Sequence, residues 1–141
     1  MNLTNRYRFH DLGLLLLRVG LGVMFMVHGF PKLAGGPEAW AGLGGVMGKV
    51  GLGFAPTFWG FMAAIAEFGG GLLLAVGLWF RAACVVLLLT MVMATVMHVS
   101  KGDGFGGYSH ALESAFVFLG LLFAGPGKYS LDARLSGNRL R

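Results

Sequence analysis

Five ionisable side chains in this sequence fall at one end of its apolar segments. His28 ends the first apolar segment and Lys32 follows it, His98 ends the third, and His110 and Glu113 begin the fourth. His110 and Glu113 are three residues apart, so they share one face of a helix. Imidazole and carboxylate groups transfer protons and hydrogen-bond carbonyl or hydroxyl groups. If apolar walls surround them, these five residues are candidates for binding a quinone.

Three interpretations of this polar layer are open. A quinone or similar ring would use the polar groups to bind its oxygens, and Lys32 favours such a ring over a bare cation by repelling positive charge. Three imidazoles and the carboxylate of Glu113 would also suit zinc, copper or iron, and His28 with His98 would suit a haem in a bundle core. In the third interpretation the histidines simply face water at helix ends.

Two further charged residues, Arg18 and Glu67, lie deeper within apolar segments. Charges inside a membrane span are costly and usually face a partner. Counted at 1.5 Å per residue, Arg18 lies roughly 9 Å from one end of its span and Glu67 roughly 20 Å from the opposite end of its own. For a hydrocarbon core about 30 Å thick these depths nearly coincide. The sequence therefore predicts a buried ion pair between Arg18 and Glu67, which either sets helix register or takes part in chemistry.

The elements that must position these residues are membrane helices. Of 141 residues, 56% are hydrophobic and 12% charged, and the mean hydropathy is +0.73. A soluble chain of this size could not cover so much apolar surface. Helix is required because lipid cannot satisfy free backbone groups. Four segments are apolar enough to span, at about residues 12–30, 54–79, 82–99 and 108–124.

The predicted fold is all-α, a polytopic four-helix membrane bundle that forms one domain over residues 1–141. The second and third spans are joined by a very short link, so they must be antiparallel neighbours. The longest link, residues 33–53, carries Trp40, Leu43 and Met47 at helical spacing. This spacing predicts a short interfacial helix between the first two spans, with a re-entrant loop as the alternative because the link is rich in glycine.

Charge and cysteine content exclude several classes of protein. The net charge is +5, but the basic residues concentrate at the chain ends and form no stripe with aromatics, so nucleic-acid binding is not expected. Cys84 is the only cysteine, which excludes an internal disulfide, a CxxC motif and a thiolate metal cluster within one chain. No Walker loop, GxGxxG, HExxH or nucleophile-elbow motif occurs.

Three segments resemble the DoxX family of membrane proteins. Residues 18–32, RVGLGVMFMVHGFPK, resemble the first helix of the family, and residues 67–83, EFGGGLLLAVGLWFRAA, resemble its second helix and the following turn. Residues 125–132, GPGKYSLD, are similar to its C-terminal signature. The motifs come in the family's order, and the resemblance covers nearly the whole chain. The resemblance implies a four-helix protein of the prokaryotic plasma (inner) membrane.

The resemblance also implies a role in membrane redox chemistry. The family name traces to a subunit of an archaeal thiosulfate:quinone oxidoreductase, and other members are associated with redox and thiol-stress complexes. It favours a quinone-interacting subunit that works with a partner redox protein or as a homo-oligomer. The alternative is a non-catalytic membrane scaffold or a small-solute permease. His98 and His110 match no family position, whereas these residues do: Arg18, His28, Lys32, Glu67 and Arg81.

The distribution of positive charge predicts that both termini are cytoplasmic. Seven basic residues lie on the side of the termini and the second link, against three on the other side, and cytoplasmic segments carry the excess of Lys and Arg. A reporter fused at Arg141 should therefore lie inside the cell, and a reporter fused at Glu38 should lie outside it. A tail reporter active only outside would contradict this orientation. The seven are Arg6, Arg8, Arg81, Lys128, Arg134, Arg139 and Arg141; the three are Lys32, Lys49 and Lys101.

Overall fold

The computed structural model describes residues 9–137 of the chain. Arg6, Arg8, Arg139 and Arg141, which enter the topology argument, lie outside the described residues. Within residues 9–137 the ordered elements are all helical, without a β-strand. In chain order they are α1 His10–Ala34, α2 Gly36–Gly44, a 3₁₀ helix Gly45–Val50, α3 Pro56–Val76, α4 Phe80–Ser100, α5 Phe105–Ala124 and α6 Leu131–Leu135.

Four of these helices, α1, α3, α4 and α5, are long and apolar enough to cross a membrane. The predicted all-α architecture with four spans is confirmed. The first span is longer than predicted, because α1 continues through Pro31 to Ala34. Proline is tolerated inside a membrane helix when neighbouring groups satisfy the freed backbone. This extension puts Lys32 inside α1, in its last turn.

Glycines bring the backbones of α1 and α3 into close contact. A Cβ on Gly22 would lie 2.5 Å from the carbonyl oxygen of Gly71, and one on Gly29 would lie 2.5 Å from the backbone nitrogen of Phe68. Small residues allow membrane helices to approach in this way. Because the partner numbers fall along α3 as they rise along α1, the two helices are antiparallel. These contacts set the register of α1 on α3.

The short helix predicted in the longest link is confirmed as α2, which packs on the first turns of α3. A Cβ on Gly60 would overlap the carbonyl oxygen of Trp40, so this contact is also closed by glycine. The Trp40 ring packs against Phe61 with the ring centroids 4.6 Å apart. The 3₁₀ helix that follows contacts both α3 and α4. The link therefore packs against the bundle and forms part of it.

A tight turn joins α3 to α4, as the short link predicted. Gly77 and Trp79 have positive φ angles of 69° and 44°, a left-handed conformation that is costly for tryptophan. The carboxylate of Asp132 accepts hydrogen bonds from the backbone N–H groups of Trp79 and Phe80, each 2.9 Å long. Asp132 thereby caps the start of α4 from the C-terminal segment and stabilises the turn.

The glycine contact between α1 and α3 makes a stability prediction with an internal control. Gly22→Ala should lower the free energy of unfolding by about 1 to 3 kcal/mol, because the added methyl group meets the backbone of α3. Gly20→Ala, two residues away with nothing within 4 Å of its Cβ position, should be neutral or slightly stabilising. Unfolding in sodium dodecyl sulfate, followed by circular dichroism, measures both. Equal losses in the two variants would contradict the close contact.

Candidate functional site

A cavity of about 700 Å³ lies between α3, α4 and the segment formed by α2 and the 3₁₀ helix. Its volume is typical of sites for small ligands. The side formed by α4 extends from residue 86 to residue 97 along one helix face, roughly 16 Å at 1.5 Å per residue. The walls are mainly aliphatic and thioether side chains. Those from α4 are Val86, Leu89, Thr90, Val92, Met93, Ala94 and Met97.

Lys32 and Glu67 form an ion pair in the wall of this cavity. The ammonium nitrogen of Lys32 lies 2.5 Å from Oε1 and 2.6 Å from Oε2 of Glu67. The Glu67 side chain is only 4% exposed, whereas that of Lys32 is 37% exposed. Thr90 and Trp59 are the other liners with polar side-chain atoms among the described residues, and the Thr90 hydroxyl already donates to the carbonyl of Val86. The ion pair is therefore the charged end of a largely apolar cavity.

Local structure holds Lys32 in this position. The side chain leaves the last turn of α1, where the helix dipole favours a cation. The carbonyl oxygen of Lys32 accepts a hydrogen bond of 2.9 Å from the indole N–H of Trp40 in α2. Glu67 leaves the middle of α3 beside the contact between Gly29 and Phe68. The helix end, the tryptophan and the glycine contact together bring the two charges into register.

The predicted ion pair between Arg18 and Glu67 is wrong. Arg18 donates instead to the carbonyl oxygens of Ala75 and Tyr129, the latter at 2.7 Å. Glu67 precedes Ala75 by eight residues, or about 12 Å along α3. The equal depths predicted for Arg18 and Glu67 required the ends of α1 and α3 to be level, and they are not. In the structure α3 continues past the end of α1 and packs there on α2.

Arg18 instead fastens the C-terminal segment to the bundle. The residue is 2% exposed, and its guanidinium group satisfies a carbonyl in the last turn of α3, where the helix dipole is negative. Tyr129 belongs to the GPGKYSLD segment, so the same guanidinium holds that segment against the helices. Nearby, Lys128 lies 3.4 Å from the carboxylate of Asp11 in α1. Hydrogen bonding to that carboxylate raises the pKa of Lys128.

The histidines predicted to line one cavity are dispersed. His28 and His110 are neighbours, with ring centroids 6.5 Å apart, but both are exposed, as is Glu113. His98 is bonded through Nδ1 to Asp103 at 2.6 Å. Of the five predicted residues, only Lys32 lines the cavity. The prediction of an interior position is therefore wrong for His28, His110 and Glu113.

Helical register explains this outcome. The buried residues beside the exposed ones are Gly29 in α1 and Ala111 and Ser114 in α5. One step along a helix rotates a side chain by about 100°, so the residue before each of these points away from the core. Span ends alone placed the three polar residues at one level. They did not determine the direction in which each side chain points.

The structure also bears on the metal and haem alternatives. Within residues 9–137, no group of three or more His, Cys, Asp or Glu residues could hold a metal ion. The proposed set of His28, His98, His110 and Glu113 is therefore not assembled as a metal site. The haem alternative required His28 and His98 as a pair, and the observed partners are His110 for the first and Asp103 for the second.

Sequence reasoning missed the cavity itself. Its α4 wall repeats apolar residues at helical spacing, and such a face is indistinguishable by composition from one that contacts lipid. Lys32 and Glu67 both matched family motif positions, which marked them as candidates. Lys32 was grouped with the histidines, however, and Glu67 with Arg18. Four methionines line the cavity, and only the first of them entered the sequence argument, as part of the helical spacing in the long link: Met47, Met62, Met93 and Met97.

Within residues 9–137, these features define a helical membrane protein with an apolar cavity and an ion pair in the cavity wall. The DoxX family model matches residues 13–99, and the chain belongs to the DoxX family. No solved structure matches it.

Three relatives show how far the similarity extends. An uncharacterized membrane protein of Mycobacterium tuberculosis is 32% identical over 133 residues, covering 85% of this chain and 79% of its own. The inner membrane protein YqjF of Escherichia coli is 28% identical over 132 residues, covering 92% and 96%. A Bacillus subtilis protein, provisionally named oxidoreductase CatD, is 36% identical over 86 residues, covering 61% and 59%.

The ion pair predicts a specific energetic coupling. A double-mutant cycle with Lys32→Met and Glu67→Leu should give a coupling of about 1 to 3 kcal/mol in the free energy of unfolding, because each single change orphans a charge that the double change removes. A matched cycle with Arg18→Met and Glu67→Leu should give less than about 0.5 kcal/mol. Unfolding in sodium dodecyl sulfate measures both. A larger coupling in the Arg18 cycle than in the Lys32 cycle would contradict the observed pairing.

Proposed function

We propose that this protein is a redox-associated, quinone-interacting subunit of the membrane, and that the quinone ring binds in the cavity of Lys32 and Glu67. The observation that carries the proposal is a bidentate ion pair in the wall of an apolar cavity of about 700 Å³. A quinone combines an apolar ring with polar oxygens, and the cavity combines apolar walls with one polar end. The histidine layer is no longer part of this proposal.

Lys32 has a hydrogen-bond donor available for a ligand. A lysine ammonium carries three N–H donors, and two of them are directed at the two oxygens of Glu67. No acceptor for the third is present among residues 9–137. Because the side chain is partly exposed and lines the cavity, the third N–H can bond a carbonyl oxygen of the ring.

Glu67 complements this donor as a proton carrier. Reduction of a quinone to a hydroquinone consumes two electrons and two protons, so the site must supply protons to the ring oxygens. A carboxylate accepts a hydrogen bond from a hydroxyl and, when protonated, donates one. Its neighbour Lys32 stabilises negative charge that develops on the ring oxygen. The two residues thus divide the tasks of orienting the ring and exchanging its protons.

The apolar walls suit a planar, polarizable ring. Methionine side chains adapt to irregular shapes and make favourable contacts between sulfur and aromatic rings. Trp59 adds an indole to the same wall, and its buried N–H has no acceptor in the described part of the chain. A hydrophilic solute would find almost nothing to bind here, which disfavours a permease. The thioether liners are Met47, Met62, Met93 and Met97.

The electrons must come from a partner redox protein. Cys84 is a lone, buried thiol, and a single cysteine cannot cycle between a dithiol and an internal disulfide. The provisional oxidoreductase name of the Bacillus subtilis relative is consistent with a redox setting. The chain would then supply the quinone site, while the partner protein oxidises its own substrate.

Quinone binding can be tested by ligand-induced stabilisation of the detergent-solubilised protein. A decyl-tailed benzoquinone should raise the melting temperature, followed by circular dichroism, because a ligand that binds only the folded state stabilises it. The double variant Lys32→Met/Glu67→Leu leaves no orphaned charge and should weaken the apparent affinity at least about tenfold, as expected for loss of a charged hydrogen bond.

The control is the double variant Lys49→Met/Glu38→Gln, which removes an exposed lysine and an exposed glutamate that do not line the cavity. It should retain the wild-type response. If the wild-type protein shows no stabilisation, or both double variants respond like the wild type, the proposal is wrong. In the first case, the non-catalytic scaffold becomes the better interpretation.

A further inference from the structure

One side of the cavity is not closed by protein. Ile65 on α3 and Leu89 on α4 both line it, yet 40% and 60% of their respective surfaces are exposed. Val86 and Val92, also liners, are exposed as well. Exposed fractions this large on two adjacent helices indicate that protein does not cover this side of the cavity. The cavity therefore opens laterally through a gap between α3 and α4.

We expect this gap to face hydrocarbon. Both helices that border it are candidate membrane spans. Glu67 lies eleven residues after the first residue of α3, or roughly 16 Å along the helix axis. That is about half of a hydrocarbon core about 30 Å thick. Measured from the start of α3, the polar end of the cavity and the neighbouring gap therefore fall at the depth expected for the lipid tails.

The other boundaries of the cavity are occupied by protein. α1 is in backbone contact with α3. Leu43, Met47 and Leu52 of the long link line the cavity on the side towards the start of α3. Towards the turn between α3 and α4, a Cβ on Gly70 would lie 3.0 Å from the side chain of Leu87. Among the described liners, Leu89 in the gap is the most exposed at 60%, compared with 48% for Val50 and 38% for Leu52 of the long link.

We propose that the gap between α3 and α4 is a lateral entrance from the bilayer, and that the site takes a quinone with an apolar tail. The inference rests on the proposed function and specifies its ligand class. The ring lies against Lys32 and Glu67, while the tail passes over Ile65 and Leu89 into the lipid. Leu89, the more exposed of the two, is the residue that determines specificity for the tail.

The size of the cavity supports a tail that extends outside it. A volume of about 700 Å³ suits a ligand of drug-like size, which is a ring with a short piece of chain. A longer tail cannot be accommodated whole and must leave through an opening. An apolar exit at the depth of the lipid tails allows it to do so without contacting water, whereas a tail-less ring gains nothing from the gap.

The test compares two probes on the full chain in detergent, a decyl-tailed benzoquinone and the same ring without the tail. Leu89→Trp narrows the gap and should weaken the tailed probe at least tenfold, while the tail-less ring changes less than twofold. Leu16→Trp is the matched control, because Leu16 is 66% exposed on α1 and does not line the cavity. Thermal stabilisation by each probe is expressed relative to the wild-type protein, so differences in partitioning into detergent cancel.

The outcomes separate this inference from the proposed function. Selective loss of the tailed probe in Leu89→Trp, with Leu16→Trp unchanged, supports the lateral entrance. If Leu89→Trp weakens the binding of both probes equally, or of neither, the lateral entrance is overturned. The quinone site still stands in that case if the Lys32→Met/Glu67→Leu variant loses binding. If neither probe binds the wild-type protein, both proposals are overturned.

Discussion

The backbone contact between α1 and α3 is the constraint on which the rest of the site depends. Without Cβ atoms at Gly22 and Gly29, the two helices approach until their backbones touch, and this contact permits one antiparallel register. In that register Lys32 meets Glu67 and Arg18 meets the end of α3. A bulkier interface would separate the helices, and the charges would lose their partners. Glycine packing between α1 and α3 thus determines where the charged side chains of Arg18, Lys32 and Glu67 lie.

An ion pair within a membrane bundle is not an efficient source of stability. Removing two charges from water costs several kcal/mol per ion, which their attraction recovers only with good geometry, and an apolar pair of similar volume often serves as well. The pair of Lys32 and Glu67 has good geometry, yet it stands at a cavity where apolar residues would pack more simply. This argues that the charges are used, since charged residues at such depth commonly mark functional sites.

The two ends of the bundle differ in how they are closed. At the end near Gly77, the C-terminal segment is held by Arg18 and caps α4 through Asp132. The two terminal nitrogens of Arg18 and the carboxylate of Asp132 are bonded across this end, so this end is closed. At the other end, the 3₁₀ helix contacts both α3 and α4, and the cavity lies beneath it. Because its helices are held together at one end and spread apart at the other, the bundle forms a cavity without an additional domain.

The sequence by itself determined the environment, the helix count and the approximate spans, because hydropathy and length set these properties independently of packing. It also identified Lys32 and Glu67 as residues of interest. Only the tertiary structure decided that they are partners, that Arg18 serves the C-terminal segment, and that His28 and His110 face outward. Pairing depends on helix register and rotation, which here follow from glycine contacts between helices far apart in sequence. A face of α4 that lines a cavity has the same composition as one that faces lipid, so the cavity could emerge only when the neighbouring helices were in place.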